Sequence, residues 1–325
     1  MAKKEGVWAF PVEMRPRPEE WKFDLDAALD AVVGLRAEIP EDAFTAQVLG
    51  TERAGSGVVI RDDGLVLTIG YLITEASTIW LTTNKGVVMG GFPVAYDQTT
   101  GFGLVQPLGR LGVRPLERGS IASCRIGENV VMAGHGGAAH ALKATVFAKR
   151  EFAGYWEYVL DEAIFTAPAH PQWGGAALIG AEGKLLGIGS LLVQEKIDAG
   201  TIQGNMLVPI DLLEPILNDM VKTGRVNRPP RPWLGMYTTE AGERLVIAGL
   251  APGGPAERAG AKVGDAVLEV NSGKPRSLAD LWRKIWDAGP SGAVVPLKIA
   301  RNGKTSELRI VSADRSDFLK KPHLH

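Results

Sequence analysis

Apolar residues along most of this chain come in short runs rather than long stripes. Between residue 25 and about residue 209, clusters of Val, Ile, Leu and Thr are repeatedly broken by glycine, as in SGVVIRDDGLVLTIG, KGVVMGGFPVAY, IGENVVMAG and GKLLGIGSLLV. Runs of this length at such spacing predict an all-β sandwich or barrel. The period changes at residues 210–224, where Leu212, Leu213, Ile216, Leu217, Met220 and Val221 recur at helical spacing. Asp211 is placed to cap that helix, Pro215 falls in its first turn, and Gly224 is its stop.

A short, stiff, basic linker, RVNRPPRP, follows. Beyond it LVIAGL, AVLEV and VVPLKIARNGKTSELRIV read as strands, and Asn302-Gly303 between the last two is a hairpin signal. GPAERAG and SLADLWRKIWDAG read as helices, the second with Ser277 as cap and Asp280 three residues on. Ahead of the body lies a Pro- and charge-rich arm carrying Trp8, Phe10 and Trp21. The predicted organisation is an arm (1–24), a β body with its linking helix (25–224), a linker (225–231), a small β/α module (232–314) and a tail (315–325) ending in two histidines not read as a metal site.

A length of 325 residues fits two or three domains. A net charge of −1 gives no electrostatic drive toward nucleic acid, so no nucleic-acid partner is expected. Forty glycines and 20 prolines beside only 7% aromatics strengthen the reading of many tight turns and short strands. The single cysteine, Cys124, excludes an internal disulfide and any multi-cysteine zinc site, and neither metal nor cofactor is expected. No apolar run approaches the ~20 residues of a membrane span. The first residues, MAKKEGVWAFPVEMRPRPEEW, lack the apolar core of a secretory signal. A cytoplasmic location is therefore expected, or an extracytoplasmic one if a leader was removed.

Four stretches carry a resemblance: AGSGVVIRDDGLVLT (54–68), RIGENVVMAGH (125–135), WGGAALIG (173–180), and NMLVPIDLLEPILNDMVKTGRV running into RPWLGM (205–236). In this order and spacing they resemble the HtrA/Deg family. The resemblance implies a chymotrypsin-like double β-barrel followed by a PDZ domain, a mostly all-β protein. In that family a serine attacks a carbonyl, a histidine takes its proton, an aspartate orients the histidine and backbone N–H groups hold the oxyanion. The window matching the family's histidine motif reads LTIGYLI here, putting Tyr71 at that position. The aspartate window reads TGFGLVQ, with Gly101, and the nucleophile window reads PQWGGA, with Trp173. Asp97 matches a separate upstream aspartate of the family. A phenol is a poor base at neutral pH, glycine orients nothing, and an indole is no nucleophile.

These windows predict a non-enzyme, a pseudoprotease with no catalytic residues. Trp173 either plugs a vestigial cleft or offers a platform that holds peptide uncut. The other histidines of the body are His135, His140 and His170, and His170 is placed to line the old cleft. Ser120, Ser123 and Ser190 carry no nucleophile motif.

The C-terminal module resembles a PDZ domain throughout, which implies capture of C-terminal peptide tails by strand addition. Trp233-Leu234-Gly235-Met236 stands in the place of the carboxylate loop, so the N–H groups of Leu234, Gly235 and Met236 are the expected carboxylate nest. Trp233, Leu278, Leu281, Trp282 and Ile285 are the expected groove, with Arg231 either adding charge or merely solvated. The function expected is an inactive peptide-binding adaptor, scaffold or chaperone-like holder. The alternatives are a serine endopeptidase with a rearranged site, or an inactive regulatory subunit of a larger enzyme assembly. The resemblance also implies a homotrimer, with Trp8, Phe10 and Trp21 as candidate contacts.

Overall fold

The computed structural model describes residues 8–197 and 200–320; the terminal His-Leu-His lies outside them. A short helix α1 (Leu25–Asp30), capped by the Asp24 carboxylate, opens the body. It leads to β1 (Val32–Glu38), a turn of helix α2 (Ala46–Leu49), β2 (Glu52–Val59), β3 (Val66–Ile69), β4 (Thr78–Thr82), β5 (Val88–Tyr96) and β6 (Phe102–Pro107). These six strands close into a barrel in the order β1-β2-β3-β6-β5-β4. Next come β7 (Asn129–Ala133), β8 (Ala141–Gly154), β9 (Tyr158–Ala167), β10 (Ala177–Ile179), β11 (Leu185–Ile197) and β12 (Gly200–Pro209). They close a second barrel, β10-β11-β12-β9-β8-β7. Closure removes the exposed strand edges that such β-branched runs would otherwise present.

Phe10 is inserted among Val130, Met132, Leu142 and Ile164 in the core of the second barrel, with its N–H bonded to the Ala139 carbonyl. That corrects its expected role as a subunit contact: the arm tucks its aromatic ring onto its own body. Helix α3 (Glu214–Thr223) buries Ile216, Leu217 and Met220, carries Pro215 in its first turn and stops at Gly224 in the left-handed conformation. Asp211 is not its cap. Its carboxylate accepts hydrogen bonds from the Ser120 hydroxyl and the Ile121 N–H, and a 3-10 turn, Ile210–Leu212, starts the helix instead.

A separate sheet follows: β13 (Met236–Ala241), β14 (Arg244–Leu250), β15 (Ala266–Val270), β16 (Val294–Arg301) and β17 (Lys304–Val311), antiparallel in chain order. Helix α4 (Pro255–Arg258) and helix α5 (Leu278–Trp286) are inserted in it, α5 capped by Ser277, whose hydroxyl accepts from the Asp280 N–H at 3.1 Å. Asn302 and Gly303 both take positive φ, which is the turn a two-residue hairpin needs.

Two compact units result. One runs up to Arg150 and resumes over Glu162–Val226; the other joins Asn227–Lys320 to the eleven-residue segment Glu151–Asp161. The second unit therefore takes in a hairpin tip that chain order had put with the β body. The reason lies in strand length. β8 pairs with β7 only over Ala141–Thr145, and β9 pairs with β12 only over Ile164–Thr166. Their outer ends are left free of those partners.

Candidate functional site

In the first unit a cleft of about 580 Å³ is lined by Ser56, Tyr71, His135, His140, Gln172 and Trp173, among others. It survives because the chain around it is held in register by backbone bonds. The Ser56 N–H donates to the Gly174 carbonyl at 2.8 Å, and the Gly175 N–H donates to the Gly189 carbonyl at 2.9 Å. Only glycine fits at 175: its φ is +75°, and a Cβ there would stand 1.8 Å from the Ser56 carbonyl oxygen.

Tyr71 lines this cleft, and its hydroxyl donates to the Ser190 carbonyl at 3.0 Å. Burial pushes its phenol far above the usual range, so it stays neutral. Beneath it, the buried Arg53 guanidinium donates to the carbonyls of Tyr71 and Thr74 and to the Thr45 hydroxyl. Glu75 accepts from the Phe44 and Thr45 N–H groups and the same Thr45 hydroxyl. Trp173 lies half-buried against the second barrel's core while still lining the cleft, so it does not plug it.

Gly101 is not among the residues lining the cleft, although its carbonyl accepts at 2.7 Å from the N–H of Gly70, next to Tyr71. It is a turn glycine at φ +82° leading into β6, bonded through its backbone to Asp97 and Gly70. Asp97 spends its carboxylate on the N–H and hydroxyl of Thr100. His170 is fully buried rather than lining the cleft. Its Nδ1 accepts from the Gln172 N–H and its Nε2 contacts the His140 carbonyl, and burial pulls it down to about 4.

Two other imidazoles do line the cleft. The backbone N–H of His135, not its ring, donates to the Ser56 hydroxyl oxygen at 3.0 Å. Among the described residues, His135 Nε2 and His140 Nδ1 are buried ring nitrogens with no hydrogen-bond partner. Burial, then the charges of His135 and Arg15, hold His140 below the usual histidine range. The cleft is thus lined by Tyr71 and Trp173 from two of the three windows, and by Ser56, His135 and His140 from outside them.

In the second unit, the N–H groups of Leu234, Gly235 and Met236 converge on one point. Gly235 makes this possible with φ +73°, and a Cβ there would stand 3.0 Å from Ala251. The point is occupied: the Glu157 carboxylate accepts from Leu234 (3.2 and 3.1 Å), Gly235 (2.7 Å) and Met236 (3.0 Å). Burial raises Glu157 to about 7, against the pull of those three N–H groups and of Arg315.

Leu278, Leu281, Trp282 and Ile285 are all buried in the core cluster that also holds Val159 from the hairpin tip. The Trp233 ring lies edge-on to Phe318, outside that cluster, and beside Gly235, where an added Cβ would stand 3.1 Å from it. The Arg231 guanidinium is stacked over the Trp286 ring at 4.1 Å rather than merely solvated.

Sequence reasoning missed Ser56, Arg53 and Glu157. The one signal for Glu157 is local: GYWEY is an unusually aromatic sequence for a turn between two strands.

The family described as Trypsin-like peptidase domain matches residues 55–188, and that described as PDZ domain matches 232–311. Among curated proteins, the chain is similar to the serine endoprotease DegS of Haemophilus influenzae, 24% identical over 266 residues, covering 81% of this chain and 78% of that one. It is also 27% identical over 274 residues to a probable periplasmic serine endoprotease DegP-like of Pseudomonas putida, covering 79% of this chain. There it spans about half of the relative's length, 55%.

Two solved structures share the fold. The serine endoprotease from Yersinia pestis has a TM-score of 0.51 at 20% identity, covering 90% of this chain and 98% of that one. An HtrA-type protease, AlgW with decapeptide, has a TM-score of 0.53 at 19% identity, covering 92% and 99%.

These relatives are named as serine endoproteases, which overturns the expectation of a non-enzyme. The name of the Pseudomonas relative also takes away support for a cytoplasmic location. Among the described residues, no helix is long and apolar enough to cross a membrane.

Proposed function

We propose, for a chain that belongs to the HtrA/Deg family through its trypsin-like peptidase domain and following PDZ domain, endopeptidase action on polypeptides from a rearranged site in the barrel cleft, with peptide tails recruited by the PDZ module. The observation that supports this reading is the open cleft itself. It is lined by Ser56, whose hydroxyl oxygen accepts from the backbone N–H of His135, and by the residues His135 and His140. Burial holds His140 below the usual histidine range, and a neutral imidazole is able to take a hydroxyl proton, which is the requirement for activating a serine. Tyr71 and Trp173 are assigned to binding, as hydroxyl and aromatic surfaces along the cleft. The family's oligomeric habit extends the proposal to a homotrimer, and the periplasmic relative makes an extracytoplasmic setting the one to test.

The test is fluorophosphonate labelling of the folded chain beside a casein cleavage assay, with the labelled serine mapped by mass spectrometry. Labelling and cleavage both lost on a single Ser→Ala change, Ser56→Ala first and Ser190→Ala second, is the expected result. Silence in both assays from a folded oligomer overturns the endopeptidase reading. A second reading, a tail-binding adaptor or chaperone-like holder, is favoured by the three converging N–H groups of Leu234, Gly235 and Met236.

A further inference from the structure

We propose that the PDZ groove already holds an internal ligand, the 153–159 hairpin tip of this same chain, with the Glu157 side chain in the place of a peptide's terminal carboxylate, so that outside tails bind only by displacing it. The proposal rests on the tail-binding reading above. Its first support is the carboxylate itself, which takes all three loop N–H groups and is buried. A carboxylate on a nest of backbone N–H groups is the chemistry by which a C-terminus is captured.

The second support is register. β13 is the edge of its sheet, paired only with β14, so its other edge is open to an added strand. The Thr238 N–H on that strand donates to the Tyr155 carbonyl at 2.9 Å. Going from Glu157 back to Tyr155 moves two residues along the tip, and going from Met236 on to Thr238 moves two along the strand. The tip therefore lies antiparallel to β13 with its carboxylate at the loop, which is the arrangement of strand addition.

The third support comes from α5, the opposite wall. Trp282 Nε1 donates to the Gly154 carbonyl at 2.9 Å, and Arg283 reaches Glu151 at 2.6 Å and Asp161 at 2.5 Å, one on each stem of the hairpin. Val159 is buried among the α5 side chains, and Ala153 is packed against the same cluster. Glu157 itself takes φ +61°, a conformation a non-glycine residue adopts at a cost and keeps only where its surroundings hold it. A free loop would relax it.

Two measurements on the full chain test this. Amide hydrogen exchange reads the tip directly. Leu234, Gly235, Met236 and Thr238 should exchange slowly in the wild type and at least tenfold faster in Glu157→Ala. Fluorescence polarisation reads the groove, using fluorescein-labelled decapeptides ending in Val, Leu or Phe, each as free acid and as amide. The free acids should bind Glu157→Ala at least tenfold more tightly than wild type, and the amides should gain nothing. Glu157→Gln, which keeps the shape and one acceptor, should fall between the two and guards against misfolding of the alanine variant.

Fast exchange of the three loop amides in the wild type, or equal affinity of wild type and variant for the free acids, overturns the internal ligand. Accelerated exchange without binding of any free acid supports the internal ligand and overturns the tail-binding reading instead.

Discussion

The barrel cleft and the PDZ carboxylate loop are both places where backbone geometry prepares a site, and they end in opposite states. The cleft is open, and two of its ring nitrogens lack partners. The loop has three aligned donors, and every one is met by Glu157. Glycine is indispensable in both, Gly175 for close approach to Ser56 and Gly235 for the turn that aims the N–H groups. A prepared backbone therefore says what kind of group a site accepts, while the long-range course of the chain says whether the site is free.

Removing the wall of the filled groove should have the largest effect. Trp282 is fully buried and its indole N–H meets the Gly154 carbonyl, so Trp282→Ala should destabilise the second unit by about 3–5 kcal/mol. Chemical unfolding followed by peptide-level hydrogen exchange should place the loss in 151–161 and 227–320. An equal loss in the barrels would break the distinction between the regions.

The cleft's counterpart is Arg53. Arg53→Ala leaves two buried carbonyls and the Glu75 carboxylate less well served, at a cost of about 3 kcal/mol, and it frees the turn that presents Tyr71. Denaturant titration of the barrel unit, with Tyr71→Phe as reference, checks it.

Acidity separates the regions by sign. His170 is held down to about 4 by burial, so its neutral form favours the fold. That contribution is complete above pH 6.5 and disappears as pH falls toward 4, a change of about 3 kcal/mol in the barrel unit. Glu157 is raised to about 7, so its contribution is complete below about pH 4.5 and is lost as pH rises through 7. The groups facing it, Arg315 from the end of the unit, Tyr237 on β13 and Tyr155 on the tip, do not reverse that direction. Exchange at pH 4.5, 6 and 8 should show the barrel loosening in acid and the tip loosening in base. His170→Gln and Glu157→Gln should each flatten only its own profile.

The smallest expected effect is that of Tyr71→Phe, which removes one half-buried hydrogen bond to Ser190, about 1 kcal/mol in thermal unfolding. A much larger loss would mean that the cleft depends on its phenol as the groove depends on Trp282.

Much of this was legible in advance. The strand runs, the Ser277 cap, the Gly224 stop and the Asn302-Gly303 turn all stand where local pattern put them. The three N–H groups expected from the family resemblance do point to one place, where they meet Glu157. The misreadings share a cause. Asp211 had the right spacing for a cap, yet its carboxylate serves Ser120 and Ile121, some ninety residues earlier. Phe10 looked free in a polar arm and is core. Tyr71 and Trp173, from two of the aligned windows, do line one cleft, whereas Ser56, His135 and His140, which line it with them, come from other parts of the chain.

By itself the sequence determined a strand-rich body, a linking helix and four strands of the C-terminal sheet, because periodicity, caps and turns act within a few residues; the two barrels and the nest of N–H groups were expected only from the family resemblance. Only the tertiary structure decided that the nest is filled. Glu157 lies 77 residues from Leu234, and no local rule acts over that separation. What brings them together is the surplus length of two paired strands and the requirement that buried N–H groups and a buried carboxylate find partners.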